Sequence, residues 1–86
     1  MATRDPVNLG TDESWVVIYD GPTEAAEFNG SIQHVGGGPA VLRVATSEPA
    51  ALAGGFVPRQ KAVPITIPDT EILYGRSAFG AIIVLS

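Results

Sequence analysis

Residues 14–20 read SWVVIYD and form the clearest strand pattern in this sequence. Aromatic and β-branched residues of this kind suit the pleated surface of a sheet. Because side chains alternate between the two faces of a strand, Trp15, Val17 and Tyr19 are expected to share one face. Ile18 then points to the opposite face, and a strand that is apolar on both sides is expected to be covered on both.

Further short strands, separated by turn residues, are predicted along the rest of the chain. Asn29-Gly30 predicts a hairpin because both residues tolerate positive φ, so residues 24–28 and 31–35 are expected to be its two strands. Later strands are predicted at residues 40–46, 62–67, 71–74 and 78–85, with residues 75–77 ending the third of these. Pro64 lacks an N–H, which favours an edge strand. About six to eight short strands without helical periodicity predict an all-β fold, a small antiparallel β-sandwich or barrel.

Residues 1–13 show no periodicity and are predicted to form an extended N-terminal arm outside a single β-sandwich domain of residues 14–86. Val7 and Leu9 stand two positions apart, so both side chains fall on the same side of an extended segment. We therefore expect either a disordered tail or an arm that docks its two apolar side chains onto a neighbouring protein.

The length and composition predict a chain whose folded state is further stabilised by contact with other proteins. The 86 residues make one domain with a marginal core, and the absence of Cys excludes disulfides and thiolate metal sites. The net charge of −4, with scattered Lys and Arg, argues against nucleic acid. Charged residues make up 16% of the chain, a depletion that protein interfaces share. No apolar run indicates a secretory signal or a membrane span, so synthesis in the cytoplasm without export is expected.

No group of residues predicts catalysis, a metal site or a cofactor, and the chain is not expected to be an enzyme. His34 is the sole histidine and is expected at the surface, so a Ser–His–carboxylate relay is not favoured. Asp12, Glu13 and Asp20 flank the first strand, but solvated surface charges fit them better than a Ca²⁺ site. The glycines of residues 36–38 precede a strand rather than a helix, which favours a β–β connector over a phosphate loop.

Residues 47–61 form a long connection that contains several Gly and Pro residues, and its apolar side chains are candidates for partner contacts. Phe56 is the strongest candidate, because a ring in a mobile loop has little core of its own to join. The residues expected to bind a partner are Val7, Leu9, Leu52, Phe56, Val57 and Arg59. Exposed Trp15 and Tyr19 would instead line a sugar-binding platform, but core packing is favoured for these two rings.

Several short motifs follow one another along the chain. They are the Trp15 strand ending in Asp20-Gly21, the PAVLRV strand of residues 39–44, Gly54-Gly55-Phe56, the VPITI strand of residues 63–67, LYGRS at residues 73–77, and the terminal AIIV at residues 81–84. This order resembles that of the small β-sandwich proteins encoded beside the structural genes of tailed bacteriophages. The resemblance covers residues 14–86, and the motif of residues 73–77 supports it most strongly.

The resemblance implies a structural protein of the virion, most directly a capsid decoration or cement protein on the outer capsid surface, made in the host cytoplasm. Its partners would be the major capsid protein and further copies of itself, and a homotrimer is expected because symmetric assembly suits a shell. It would stabilise the capsid by bridging neighbouring subunits. The alternative is a fibre- or tail-associated module that recognises the host by binding carbohydrate. The family implies no catalytic residues, and we expect no metal or cofactor.

Overall fold

Seven strands form two antiparallel sheets in the computed structural model, which describes residues 5–86. The elements are β1 (Val7–Asn8), β2 (Val16–Asp20), α1 (Gly21–Glu24), β3 (Phe28–Gly36), β4 (Ala40–Ala45), β5 (Val63–Ile67), β6 (Ile72–Ser77) and β7 (Ile82–Leu85). One sheet has four strands in the order β1-β7-β3-β5, and the other has three in the order β2-β6-β4. The predicted small antiparallel β-sandwich is confirmed, and β5 with its Pro64 lies at a sheet edge as expected.

The core lies between the two sheets and is filled by the inward side chains of both. Its largest fully buried aliphatic side chains are those of Leu9, Ile32, Leu42, Ile67, Leu73 and Ile83. The central strand β6 runs through Gly75, where an ideal Cβ would lie 2.7 Å from Leu42 Cδ2 and 2.8 Å from Ile18 Cδ1. The prediction that residues 75–77 end this strand is wrong, because the glycine makes room for core side chains within the strand.

A β-bulge in β2 changes which aromatic side chain faces the core. The register of β2 against β6 shifts between Val17 and Tyr19. Tyr19 consequently joins the core with 4% of its surface exposed, and its ring centroid lies 5.4 Å from that of Phe28. The prediction that Trp15 and Tyr19 share a face is wrong, because strict alternation of side chains ends at the bulge.

The predicted hairpin at Asn29-Gly30 is wrong, since β3 runs straight through these two residues. Where the first strand of that hairpin is expected to begin, the chain makes the helical turn α1, which Asp20 caps by accepting a hydrogen bond from the Thr23 N–H at 3.2 Å. Gly30 lies in the middle of a pairing with β5, and an ideal Cβ there would lie 2.4 Å from the Ser86 carbonyl oxygen. Tertiary pairing therefore outweighs the local turn preference.

The N-terminal segment belongs to the sheet of its own chain. Val7 pairs with Ile83 of β7, and Leu9 is fully buried with its N–H donating to the Ala81 carbonyl at 2.9 Å. The prediction of an arm outside the domain is wrong for these residues, because the two-residue spacing of their apolar side chains suits an edge strand on the core. Residues 1–4 of the predicted arm lie outside the described residues.

Candidate docking site

The loop of residues 46–62 connects β4 to β5 and is fixed to the surface of the sandwich. Its first attachment is at the edge of β4, where Phe56 and Leu42 exchange backbone hydrogen bonds of 2.8 Å in both directions. Gly55 makes this approach possible, since an ideal Cβ there would lie 2.0 Å from the Leu42 carbonyl oxygen. The 46–62 loop thus covers the edge of the three-stranded sheet.

Arg76, on the outer face of β6, provides the second attachment. Its Nε and Nη2 atoms donate to the Ala53 carbonyl at 3.3 and 3.0 Å, and its Nη1 atom pairs with the Glu13 carboxylate. Its guanidinium carbon lies 5.3 Å from the centroid of the Trp15 ring, within cation–π range. Because only 12% of the Arg76 side chain is exposed, these charge-assisted bonds are shielded from solvent and hold the loop on the sheet.

Trp15 provides a third attachment, because its Nε1 atom donates to the Ala50 carbonyl at 3.0 Å. Its ring meets that of Tyr74 edge-on at a centroid distance of 6.4 Å. Burial raises the pKa of the Tyr74 phenol, and the negative charges of Glu48 and Asp20 raise it further. Trp15 is half-buried in this packing, and with Tyr19 in the core the two rings form no joint sugar-binding platform.

The far end of the 46–62 loop is held by the other sheet. The His34 backbone N–H donates to the Arg59 carbonyl at 2.8 Å, and the Gln33 side chain donates to the Gln60 carbonyl at 2.7 Å. Both sheets thus contribute donors to the backbone of this loop, which favours an ordered loop around Phe56 over the predicted mobile one. A loop that is ordered before binding loses less conformational entropy when a partner arrives.

The fixed loop presents apolar side chains to solvent. Its exposed members among the predicted partner contacts are Leu52, Phe56, Val57 and Arg59. The three apolar ones expose 66%, 41% and 67% of their surface, in that order. The other two predicted contacts lie elsewhere: Val7 packs against the core of its own chain, and Leu9 is fully buried there. Leu9 is thus wrong as a partner contact, because the folded chain uses its side chain internally.

Leu52 stands at a backbone position that its side chain disfavours. Its φ is +61°, in the region where a non-glycine residue costs roughly 1–2 kcal/mol. The turn around it is closed by a hydrogen bond of 3.0 Å from the Ala53 N–H to the Ala50 carbonyl. A strained and largely exposed leucine contributes little to the stability of the isolated chain, which makes it a candidate for contact with a partner.

Leu52→Gly is expected to leave the free energy of unfolding unchanged or to raise it by up to about 1 kcal/mol, because the relieved strain slightly exceeds the entropy that glycine adds to the unfolded chain. Leu52→Ala is the matched control, since it removes the same side chain and keeps the disfavoured φ. Urea unfolding, followed by the fluorescence of the single Trp, measures both variants. A glycine variant less stable than the alanine variant would show that this position is not strained.

The structure also places the other residues that the sequence singles out. Within residues 5–86, no three His, Asp or Glu side chains are grouped so as to hold a metal ion. His34 is half-buried rather than at the surface, and its Nε2 atom has no hydrogen-bond partner in the described part of the chain. The Gly-rich connector packs on its own chain, with Gly38 directly under Phe79. No helix in this range has the length and apolarity to cross a membrane.

Sequence reasoning missed the cluster beneath the loop and three exposed apolar side chains elsewhere. These three are Val17, Val35 and Phe79, with 47%, 48% and 64% of their surface exposed. Val35 lies at an irregularity in the β3–β7 pairing, which a rule of strict alternation does not predict. Arg76 carries one usable signal: it is the sole charged residue of β6 and stands two positions from Tyr74, on the same outward face.

Comparison with known proteins gives no family assignment, since no protein-family model, curated protein or solved structure matches the chain. The functional conclusion therefore rests on the fixed apolar loop and on the resemblance of the sequence motifs.

Proposed function

We propose that the protein is a non-enzymatic docking protein of a tailed-phage particle, a capsid decoration protein that binds the outer shell through the 46–62 loop. The observation that carries the docking role is the loop itself, whose backbone is held by the sandwich while Leu52, Phe56 and Val57 project into solvent. The choice of the capsid as partner rests on the motif resemblance, above all on residues 73–77. The protein acts by bridging neighbouring copies of the major capsid protein.

The exposed side chains of the loop suit a small, repeated interface. Apolar burial contributes about 25 cal/mol per Å², so about 100 Å² contributes about 2.5 kcal/mol before ordering costs. The bonds to the carbonyls of Ala50, Ala53 and Phe56 already order the backbone, which keeps those costs low. Repetition over the many equivalent sites of a shell lets modest contacts add up to a mechanical reinforcement.

A homotrimer is the oligomer that we propose on the shell. A domain of 86 residues has a small core, and binding to a partner favours its folded form by mass action. A shell presents its binding sites around symmetry axes, which favours a symmetric oligomer of the protein that occupies them.

Heating of phage particles with and without the protein tests the capsid role. Particles stripped of the chain are expected to release their DNA at a lower temperature than stripped particles to which wild-type chain has been added back. A Phe56→Ser/Val57→Ser chain is expected to restore little of this difference, because it lacks two of the exposed apolar contacts. Identical release temperatures for all three samples would contradict the proposal.

A further inference from the structure

A half-open cleft of about 590 Å³ lies between the segment that precedes β2 and the start of the 46–62 loop. The two segments meet here because Trp15 Nε1 donates to the Ala50 carbonyl. The residues that line the cleft are Asp12, Glu13, Ser14, Trp15, Glu48, Ala51 and Leu52. The lining thus combines three carboxylates, an indole ring and an exposed aliphatic side chain, and it includes no basic residue.

The charges around the cleft leave it negative. Arg76 pairs with Glu13, whereas Asp12 and Glu48 have no cationic partner among the described residues. Asp12 accepts a hydrogen bond from the Ser14 N–H at 3.1 Å, which orients its carboxylate at the cleft. The charge of Glu48 is felt by the neighbouring phenol of Tyr74, whose pKa it raises in addition to the larger effect of burial.

One cationic group of the chain itself already lies against the indole ring and a carboxylate of the cleft. The Arg76 guanidinium lies 5.3 Å from the centroid of the Trp15 ring while it pairs with Glu13. A second cation entering from solvent would meet the same indole and the carboxylates of Asp12 and Glu48. Leu52, at the rim, would pack against the methylene chain that carries the charge. This combination favours an alkylammonium or guanidinium group over neutral or anionic groups.

We propose that this cleft binds a lysine or arginine side chain of the docking partner. The inference rests on the proposed function in one respect, namely that the partner protein supplies the cation. Leu52 belongs both to the cleft and to the exposed apolar side chains of the 46–62 loop, so the two form one contact surface. On this surface, the apolar side chains contribute affinity. The attraction between the partner's cation and the carboxylates of the cleft fixes the orientation of the partner and speeds its association.

NMR titration with a small cationic probe tests the cleft without any shell. The chain has a single Trp, so its one indole N–H signal reports on the cleft directly. N-acetyl-lysine methylamide is expected to shift this signal in a saturable way, while uncharged N-acetyl-norleucine methylamide is expected to leave it in place. Glu48→Gln is expected to weaken probe binding about tenfold, because a charge-assisted contact is lost. Glu27→Gln makes the same change of charge outside the cleft lining and is expected to bind as the wild type does.

The outcomes separate this inference from the proposed function. The cleft assignment would be overturned if the lysine probe gave no saturable shift, or if Glu48→Gln and the wild type bound the probe equally. This holds whether or not the chain binds phage shells. If the chain binds the probe saturably and in a Glu48-dependent way but does not bind phage shells, the cleft assignment is supported and the capsid role is overturned.

Discussion

Leu9→Ala is expected to lower the free energy of unfolding of the isolated chain by about 3 kcal/mol, the usual cost of truncating a fully buried leucine. Leu9 is 0% exposed, and its Cδ1 atom occupies the space that a side chain at Gly75 would fill. A domain of 86 residues has a total stability of about 4–13 kcal/mol, so this change removes a large share of it. Urea unfolding monitored by Trp fluorescence measures the loss.

Val57→Ala is the control for this truncation, because it also removes apolar carbon but at a site that is 67% exposed. Its expected effect on the free energy of unfolding is within about 0.5 kcal/mol. Superimposable unfolding curves for Leu9→Ala and the wild type would show that the N-terminal segment is detached in solution. That result would remove β1 from the four-stranded sheet and restore the predicted arm.

Gly55→Ala is expected to release the middle of the 46–62 loop from the sandwich. An alanine Cβ would lie 2.0 Å from the Leu42 carbonyl oxygen, and this clash is not relieved by a side-chain rotation because the oxygen belongs to the backbone of β4. The two hydrogen bonds between Leu42 and Phe56 must break, and each contributes about 1 kcal/mol. Hydrogen exchange measures the release, with the Phe56 N–H expected to exchange much faster while the amides of β6 stay protected.

Gly54→Ala is the matched control, since an ideal Cβ at this neighbouring glycine has nothing within 4 Å. Its loop amides are expected to exchange as in the wild type. Continued protection of the Phe56 N–H in Gly55→Ala would contradict the attachment of the loop to β4, because the bond could not survive the steric overlap that the structure places there.

The fold class is predictable from the sequence because short apolar stretches separated by turn residues leave few alternatives to a small antiparallel sandwich. β4 and β5 lie where the pattern places them. The errors at Gly30 and Gly75 share one cause, since in each case another part of the chain occupies the space of the missing side chain. Local sequence preference predicts that a strand ends at each of these glycines, whereas both lie inside strands in the folded chain.

The candidate site is predictable in part for a related reason. Phe56 and Val57 stand in a connection between strands, where side chains are usually exposed. The attachments of the loop cannot be predicted in this way, because Trp15 and Arg76 are distant from the loop in sequence. They meet it only when β2 and β6 pair. The burial of Leu9 likewise depends on which strand lies beside it, and the apolar spacing is the same for an arm and for an edge strand.

Binding of the wild-type, Gly54→Ala and Gly55→Ala chains to phage shells stripped of the protein tests the central claim most directly. Sedimentation of the shells with labelled chain gives the number of occupied sites and the affinity for each variant. A preformed docking loop predicts that the wild type and Gly54→Ala saturate the same number of sites with equal affinity, while Gly55→Ala binds at least about tenfold more weakly. Failure of the wild-type chain to sediment with shells, or wild-type binding by Gly55→Ala, would contradict it.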